Sequence, residues 1–524
     1  MSLQQKAYRG AGWSGLSGMI SNGLELLKYI ALARILEPGD FGLLAMAMVI
    51  ISIGRIFADG GTSNAVIHFR NQSPRQLSTL FWINILAGSA LYFLVLLTAP
   101  FFAAFYGEPE VRQLLQLGGI ILPIYAAGAL FEVLIRKNLD FIKITIAETT
   151  AAVAGFATAT ALALAGWGVY SLIWSHIVTA GILTAIYIAV EMRKWKPSFC
   201  FSPGEVREHI RFGLYQMGER GLNIYSMRID HLIIGRFFGP EILGAYHIAY
   251  QVVLFPISRL SPLLNRVALP VFAARQEDHS VLRNGYIKLV SGIVSLMMPF
   301  FIIVSLSAPW LVPFLFGDGW LLTAQLMPLM ALVGVLRMMG NPSGNILLSK
   351  GKAKLAFYWN LAAAVITTAV YLIGAQYSVF VLLTLYIAAN LLYLGIGQWL
   401  LVNRIIGLTF SRLFSELKLF VPLLIVPFLL TFIIKNVISN VWDVTGWMRG
   451  DVPVSAALTR LYDAWQFGLF RADGSMMEDL AMILAITAVF LITYIPLFWK
   501  YQSESVREFW QAVRKDGHGT ERNS

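Results

Sequence analysis

The chain has 524 residues, of which 57% are hydrophobic and only 13% are charged, and its mean hydropathy is +0.67. Soluble domains carry about 25% charged residues, so this chain has too few charges to cover an apolar core in water. The composition indicates a membrane protein and excludes an assembly of soluble domains. The single cysteine, Cys200, excludes an intrachain disulfide framework and a cysteine-rich metal site.

Fourteen stretches are predicted to cross the membrane as helices, because roughly 20 mainly apolar residues span the hydrocarbon core. The predicted spans are 12–35, 41–63, 78–102, 112–135, 144–165, 168–190, 209–235, 241–264, 285–309, 322–348, 356–374, 378–402, 416–438 and 479–499. Connections are mostly short, except for a polar insertion at 439–478. The N-terminus has no small-residue cleavage site before the first span, so we expect no removed signal peptide.

The distribution of Lys and Arg predicts the orientation of these spans. Of the 40 Lys and Arg residues, 27 lie in the termini and connections of one side and seven in those of the other side. Cytoplasmic loops carry the excess of positive charge, so both termini are predicted to be cytoplasmic. The net charge of +11 therefore reflects membrane topology rather than nucleic-acid binding.

An internal duplication is visible in the connections. RILEPGDFG at 34–42 follows the first span, and RFFGPEILG at 236–244 follows the seventh, with Arg, Pro and Gly aligned at an offset of 202 residues. A second match, at 99–108 and 308–318, follows the third and ninth spans. Because six spans separate the copies, we expect two parallel six-helix lobes. A duplication without present mechanistic meaning is the alternative.

The predicted organisation follows from this repeat. It consists of an N-terminal lobe (1–190), a cytoplasmic linker (191–208), a C-terminal lobe (209–402), two further helices with the periplasmic insertion (403–499), and a cytoplasmic tail (500–524).

Twelve ionisable residues lie within the predicted spans, where each costs ~2.5–3.5 kcal/mol at a helix centre and usually faces a cavity or a partner. We expect spans one, two, seven and eight to line a water-filled chamber. The candidate residues for binding a buried anion are Lys28, Arg55, Arg220, Arg228 and Arg337. The candidate acids for ion coupling or charge pairing are Glu25, Asp59, Glu219 and Asp230. The alternative is that neighbours on one helix face, such as Arg55 and Asp59, only neutralise each other.

Several catalytic and cofactor motifs are absent from the sequence. It contains no P-loop, no H-E-x-x-H zinc motif and no G-x-S-x-G nucleophile motif. The seven histidines show no metal-ligand spacing. We therefore expect no metal site, no cofactor and no enzymatic activity.

Three segments resemble the polysaccharide-transporter branch of the multidrug/oligosaccharidyl-lipid/polysaccharide (MOP) exporter superfamily, of the colanic-acid-exporter and O-antigen-flippase type. They are ALARILEPGDFG (31–42), IIGRFFGPEILGAYHIAYQ (233–251) and FGDGW (316–320), and the resemblance extends over roughly residues 1–435. It implies a two-lobed helical fold in the bacterial inner membrane. It also implies translocation of an undecaprenyl-diphosphate-linked oligosaccharide from the cytoplasmic to the periplasmic leaflet, for surface polysaccharide biosynthesis.

The resemblance and the charges together predict alternating access through a cationic cavity between the lobes. The expected partners are the lipid-linked oligosaccharide, membrane lipids, and a polysaccharide polymerase with its export machinery; no nucleic acid is expected. Two alternatives remain open at this point. One is an ion-coupled small-molecule or drug antiporter of the same superfamily, and the other is a membrane subunit of a polysaccharide synthase.

Overall fold

The computed structural model describes residues 18–59 (except 19 and 22), 61–69, 72–417 and 479–496, together with positions 429, 477 and 498. Within these ranges the chain is helical and contains no strand. The helices are α1 (23–33), α2 (Pro38–Ala58), α3 (Thr62–His68), α4 (Pro74–Tyr106), α5 (Glu110–Gly118), α6 (Ile121–Lys137), α7 (Phe141–Leu164), α8 (Val169–Glu191), α9 (Arg207–Ala274), α10 (His279–Phe316), α11 (Leu321–Gly340), α12 (Pro342–Ser349), α13 (Ala353–Gly374), α14 (Val379–Gly397), α15 (Arg404–Ile406), α16 (Phe410–Leu417) and α17 (479–496).

Ten helical stretches of the described chain are long and apolar enough to cross a membrane. They correspond to predicted spans two to six, nine to twelve and fourteen, which confirms an all-α polytopic membrane protein. Spans seven and eight fall within α9, which is not among the ten. Spans one and thirteen lie partly or almost wholly outside the described residues, so the total of fourteen stays a prediction. The insertion 439–478 and the tail 500–524 also lie outside the described residues, apart from position 477.

Contacts divide the chain into two compact units, one up to Ile248 and one from Ala249 onward. In the first unit, α7 packs on α8, and α6 packs on both α4 and α8. In the second unit, α10 packs on α11, and α14 packs on both α11 and α13. The predicted lobe boundaries at 190 and 209 are not tested by this division and stay predictions.

Both units contain one copy of the second predicted repeat, and in each copy a proline-containing helix ends at a glycine with a positive φ angle. Helix α4 contains Pro100 and ends at Tyr106, after which Gly107 turns the chain at φ 78°. Helix α10 contains Pro309 and ends at Phe316, after which Gly317 turns the chain at φ 95°. These positive φ angles are readily adopted only by glycine. The glycine of each copy therefore terminates a membrane-length helix.

Helix α9 bends at the second copy of the Arg-Pro-Gly motif. Gly239 has φ 80° and ψ −178°, and separates two helical segments within Arg207–Ala274. The predicted connection between spans seven and eight, at residues 236–240, contains this glycine. In the first copy, Pro38 begins α2, and the Asp40 carboxylate accepts a hydrogen bond from the Glu37 main-chain N–H at 3.2 Å. Proline at the first helical position and an acid in the first turn are typical of helix starts.

The two copies of the motif pack against each other reciprocally. A Cβ atom added at Gly42 would lie less than 3.0 Å from the backbone carbonyl of Pro240, and one added at Gly244 would lie equally close to the carbonyl of Pro38. Both glycines are therefore required for direct backbone-to-backbone contact. Pro240 and Gly244 are the repeat equivalents of Pro38 and Gly42. The exchange of equivalent partners is what a two-fold relation between the copies predicts.

The connection between α8 and α9 is attached to the start of α4. Ser198 donates its main-chain N–H and its hydroxyl to the Ser78 hydroxyl oxygen, at 3.1 and 3.0 Å. The indole N–H of Trp82 donates to the Ser198 carbonyl at 3.0 Å. Val206, at the end of the connection, is buried in an apolar cluster with Leu80. The predicted cytoplasmic linker is thus an ordered part of the first unit.

The last described helix, α17, belongs to the second unit. Met482 and Ile486 pack against Leu306 and Trp310 of α10. The Tyr494 hydroxyl donates to the Ser295 carbonyl at 2.6 Å. Predicted span fourteen is therefore a helix packed on α10.

Candidate functional site

A buried network of polar side chains joins residues on the two segments of α9, on either side of the bend at Gly239. The Asp230 Oδ1 atom is 2.7 Å from His231 Nδ1, and Asp230 Oδ2 accepts from the Tyr246 hydroxyl at 2.7 Å. His231 Nε2 lies 3.2 Å from His247 Nδ1. These four residues are between 0% and 6% exposed. The network therefore joins the two segments of α9 across the bend at Gly239.

The network is in contact with α1. The Tyr29 ring packs edge-on against the His247 ring, with centroids 5.9 Å apart. Lys28 precedes Tyr29, is only 8% exposed, and interacts electrostatically with Glu25 one turn earlier. A lysine buried inside a membrane span is costly unless an anion or a polar cavity is adjacent to it. Among the predicted site residues, Lys28 is therefore the one that most needs an anion or a polar cavity beside it.

The imidazoles of His176, in α8, and His247 lie near Lys28 or near one of two further cations. Its imidazole lies within electrostatic range of Lys28 and Arg55, and His247 lies within range of His176 and Arg228. The Arg55 guanidinium sits over the Tyr125 ring at 3.4 Å from the centroid, a favourable cation–π arrangement. We call the following residues the polar cluster: Glu25, Lys28, Arg55, His176, Arg228, Asp230, His231, Tyr246 and His247.

The other predicted site residues are located elsewhere. Asp59 follows α2, where its carbonyl accepts hydrogen bonds from the main chain and the hydroxyl of Thr62. Arg337 belongs to the second unit, where its Nε donates to the Tyr386 hydroxyl at 2.9 Å. The side chains of Glu219 and Arg220 lie outside the described residues. The functional role of all nine predicted residues stays a prediction.

The three histidines and the one tyrosine of the polar cluster were not predicted from the sequence. A signal was present in the spacing, because Asp230 and Tyr246 are 16 residues apart, as are His231 and His247. Gly239 lies midway between the two histidines. Residues at equal distances on either side of a tight bend face each other, so this symmetry indicates pairing across the bend.

The chemistry of the polar cluster favours binding of an anion. Lys28, Arg55 and Arg228 supply positive charge, and lysine and arginine are the usual protein ligands of phosphate groups. Among the described residues, no group of three or more His, Cys, Asp or Glu side chains is arranged to hold a metal ion.

Comparisons with known proteins identify the family. Residues 31–325 match the family model described as "polysaccharide biosynthesis protein". The teichuronic acid biosynthesis protein TuaB of Bacillus subtilis (strain 168) is 29% identical, with 82% of this chain and 88% of that protein covered. The lipopolysaccharide biosynthesis protein WzxC of Escherichia coli (strain K12) is 27% identical over 83% and 90%. The succinoglycan biosynthesis transport protein ExoT of Rhizobium meliloti (strain 1021) is 25% identical over 70% and 74%.

Two solved structures share the fold. The lipid II flippase MurJ, in an inward closed conformation, superposes with a TM-score of 0.68 and 12% identity, over 93% of this chain and 98% of that chain. An inward-facing multidrug resistance MATE family transporter of the MOP superfamily gives a TM-score of 0.53 and 15% identity, over 75% and 96%. At these identities the likeness shows the fold alone. The family match covers more than half of the chain, so this protein belongs to the polysaccharide biosynthesis protein family, and its fold is that of the MOP exporters.

Proposed function

We propose that this protein is a flippase that moves an undecaprenyl-diphosphate-linked oligosaccharide from the cytoplasmic to the periplasmic leaflet of a bacterial inner membrane. Support comes from relatives named for polysaccharide biosynthesis and transport, and from the fold shared with a lipid II flippase. In this proposal the substrate is a precursor of a surface polysaccharide. A polymerase and export machinery act on it after it has reached the periplasmic leaflet.

The single observation that carries the proposal is the buried Lys28, which lies in predicted span one, together with the half-buried Arg228 and the exposed Arg55 nearby. Cations are expensive in this environment and persist where they serve a ligand or a partner. A diphosphate carries enough negative charge to balance several cations, and its oxygens accept charge-assisted hydrogen bonds. We therefore assign the diphosphate of the substrate to the cations of the polar cluster.

The physical task of such a flippase is to move a sugar head group past the hydrocarbon core. Each hydroxyl costs ~4–8 kcal/mol when it passes from water into an alkane-like medium. The head group thus needs a hydrated path, while the polyprenyl tail can remain in lipid. An inside-negative membrane potential favours outward movement of negative charge by ~2.3 kcal/mol per charge per 100 mV. Alternating access through a cationic cavity between the predicted lobes is the mechanism we propose.

The second candidate is an ion-coupled small-molecule antiporter, favoured by the fold shared with a MATE family transporter. A transport assay with purified protein in liposomes separates the candidates. The substrates are a fluorescent short-chain prenyl-diphospho-oligosaccharide and, separately, a cationic drug dye. Movement of the oligosaccharide lipid without movement of the dye supports the flippase. The reverse result supports the antiporter.

The same assay tests the role assigned to Lys28. Loss of a charge-assisted hydrogen bond costs about 1.5–3 kcal/mol, so we expect Lys28→Ala to lower the initial flipping rate by roughly 10- to 100-fold. The matched control is Lys352→Ala, since Lys352 is an exposed lysine beside α13 and its loss should leave the rate within about twofold. Equal rates for both variants, at equal amounts of reconstituted protein, would contradict the assignment.

A further inference from the structure

The segment between α8 and α9 exposes two phenylalanine side chains. Phe199 is 96% exposed and Phe201 is 55% exposed, and both lie within residues 192–202, where the chain forms no helix. A phenylalanine ring left in water forgoes the free energy gained by burying its apolar area. Two such rings on one short segment, at the predicted end of a membrane span, indicate a surface that is covered in the membrane.

Contacts with α4 hold these rings in place. The Phe199 ring stacks on the Trp82 ring, with centroids 5.2 Å apart and an interplanar angle of 23°. The Trp82 N–H donates to the carbonyl of Ser198, the residue before Phe199. After the second ring, the Ser202 main-chain N–H donates to the Thr79 hydroxyl at 3.1 Å. The segment is therefore fixed to α4 on both sides of the two phenylalanines, and their outward position is fixed with it.

The same segment is positively charged. Residues 192–202 contain three cations and no acid. Arg193 and Lys196 are exposed, whereas the Lys194 ammonium lies 3.1 Å from the Glu191 carboxylate. The segment thus combines an apolar part with a basic part. We call the following residues the linker surface: Arg193, Lys196, Phe199 and Phe201.

The second unit has the same combination at the corresponding place. Helix α16 follows predicted span twelve, as the linker follows predicted span six. Its Phe410 and Phe414 lie one turn apart and are 51% and 58% exposed, and their rings stack with centroids 6.4 Å apart. Leu413 is buried and Arg412 is exposed. Exposed aromatic rings beside a cation therefore recur at the end of both repeats, which argues against chance exposure at either place.

We propose that the linker surface docks on anionic phospholipid head groups of the cytoplasmic leaflet. Its two rings enter the boundary between head groups and acyl chains, where interfacial segments bury their apolar side. Arg193 and Lys196 then lie at the level at which anionic lipids attract basic residues. The predicted topology places the linker on the cytoplasmic side, and its charge favours anionic over zwitterionic lipid. The docking is independent of the proposed transport, so either proposal can fail without the other.

The labelling rate of Cys200 tests this docking. Cys200 lies between the two rings and is the single cysteine of the chain, so its reaction reports on this surface alone. The protein is reconstituted in nanodiscs of phosphatidylcholine, or of phosphatidylcholine and phosphatidylglycerol in a two-to-one mixture. The reagent is an uncharged polyethylene glycol maleimide, which anionic lipid does not repel. Each basic residue near an anionic surface changes binding by roughly fivefold, so we expect several-fold slower labelling in the mixed discs.

Two double variants locate the effect. Arg193→Gln with Lys196→Gln should be labelled at nearly equal rates in both kinds of disc, because the cations that select anionic lipid are gone. Lys352→Gln with Lys354→Gln removes the same charge from two exposed lysines at the start of α13, and should keep the several-fold difference. A third variant, Phe199→Ser, should be labelled faster than the wild type in both kinds of disc. Thermal unfolding of each variant verifies that it is folded.

Each contrary outcome overturns the proposal in a different way. Equal rates for the wild type in both kinds of disc would show that anionic lipid does not cover the linker surface. Equal loss of the lipid dependence in both double variants would show only an effect of net charge. Slowing by water-soluble glycerol phosphate in phosphatidylcholine discs would identify a phosphate site without membrane docking. Labelling that is equally slow in lipid-free detergent would show that another part of the chain covers the surface.

Discussion

The reciprocal contact between the motif copies gives a sharp prediction for Gly42→Ala. The added Cβ would lie within 3.0 Å of the carbonyl oxygen, the carbonyl carbon and the Cα of Pro240. Side chains can rotate away from such an overlap, but a backbone carbonyl moves only if the whole segment moves. Overpacking of this kind costs ~1–3 kcal/mol, and we expect the upper end because all three atoms are backbone.

The two-fold relation extends this prediction to Gly244→Ala, whose Cβ would meet the carbonyl of Pro38 in the same way. The two single variants should lose stability by amounts that agree within about 1 kcal/mol. Once the first Cβ has pushed the segments apart, the second has more room. The double variant should therefore lose less than the sum of the two, as expected for residues that share one contact.

The assay is thermal unfolding of the purified protein in one detergent, with melting temperatures compared at equal protein concentration. The control is Gly181→Ala in α8, where an added Cβ would meet nothing within 4 Å. Alanine favours a helix interior over glycine by about 0.5–1 kcal/mol, so Gly181→Ala should be neutral or slightly stabilising. Melting temperatures of Gly42→Ala and Gly244→Ala equal to that of wild type would refute the close backbone contact.

Three further predictions follow from other contacts. Ser78→Ala removes the acceptor of two Ser198 hydrogen bonds, each worth about 1 kcal/mol, and should accelerate tryptic cleavage after Lys194 several-fold relative to wild type; unchanged cleavage would show that the linker is held by other contacts. Tyr386→Phe removes the hydroxyl that accepts from Arg337 and should lower stability by roughly 1–3 kcal/mol, measured by thermal unfolding against Tyr358→Phe on the exposed face of α13. An alkaline phosphatase fusion at Gly107 should be active, because the cation distribution places this turn in the periplasm; an inactive fusion would invert the topology.

The membrane helices were predictable because their signal is local. Apolar runs predicted spans 78–102 and 285–309, which lie within α4 and α10. The helices continue beyond these predicted ends and stop only before Gly107 and Gly317. The bend in α9 was also visible, because the repeated motif marks residues 236–244 as the equivalent of a connection. The two segments of α9 correspond to predicted spans seven and eight, although polar and charged residues weaken the apolar signal of this region.

The candidate site was predictable only in part. Lys28 and Asp230 attract attention in sequence because a full charge is conspicuous among apolar residues. His231 and His247 do not, because a neutral histidine fits a helix interior, and its importance depends on a partner that only the folded bend supplies. The position of Arg55 over Tyr125 likewise requires the packing of α2 on α6, which no short-range pattern encodes.

The exchange between Gly42 and Pro240, and between Gly244 and Pro38, has the form of an isologous interface, in which one surface is complementary to itself. Such an interface ordinarily joins two identical subunits, and here both halves belong to one polypeptide. In a homodimer, a substitution that strengthens one half of such a contact is present in both subunits and strengthens the other half as well. In a fused chain the two sides mutate separately, so each glycine must be preserved on its own, and the polar residues around them are free to diverge. Lys28 and its repeat equivalent Asp230 carry opposite charges, so the two copies differ in this way.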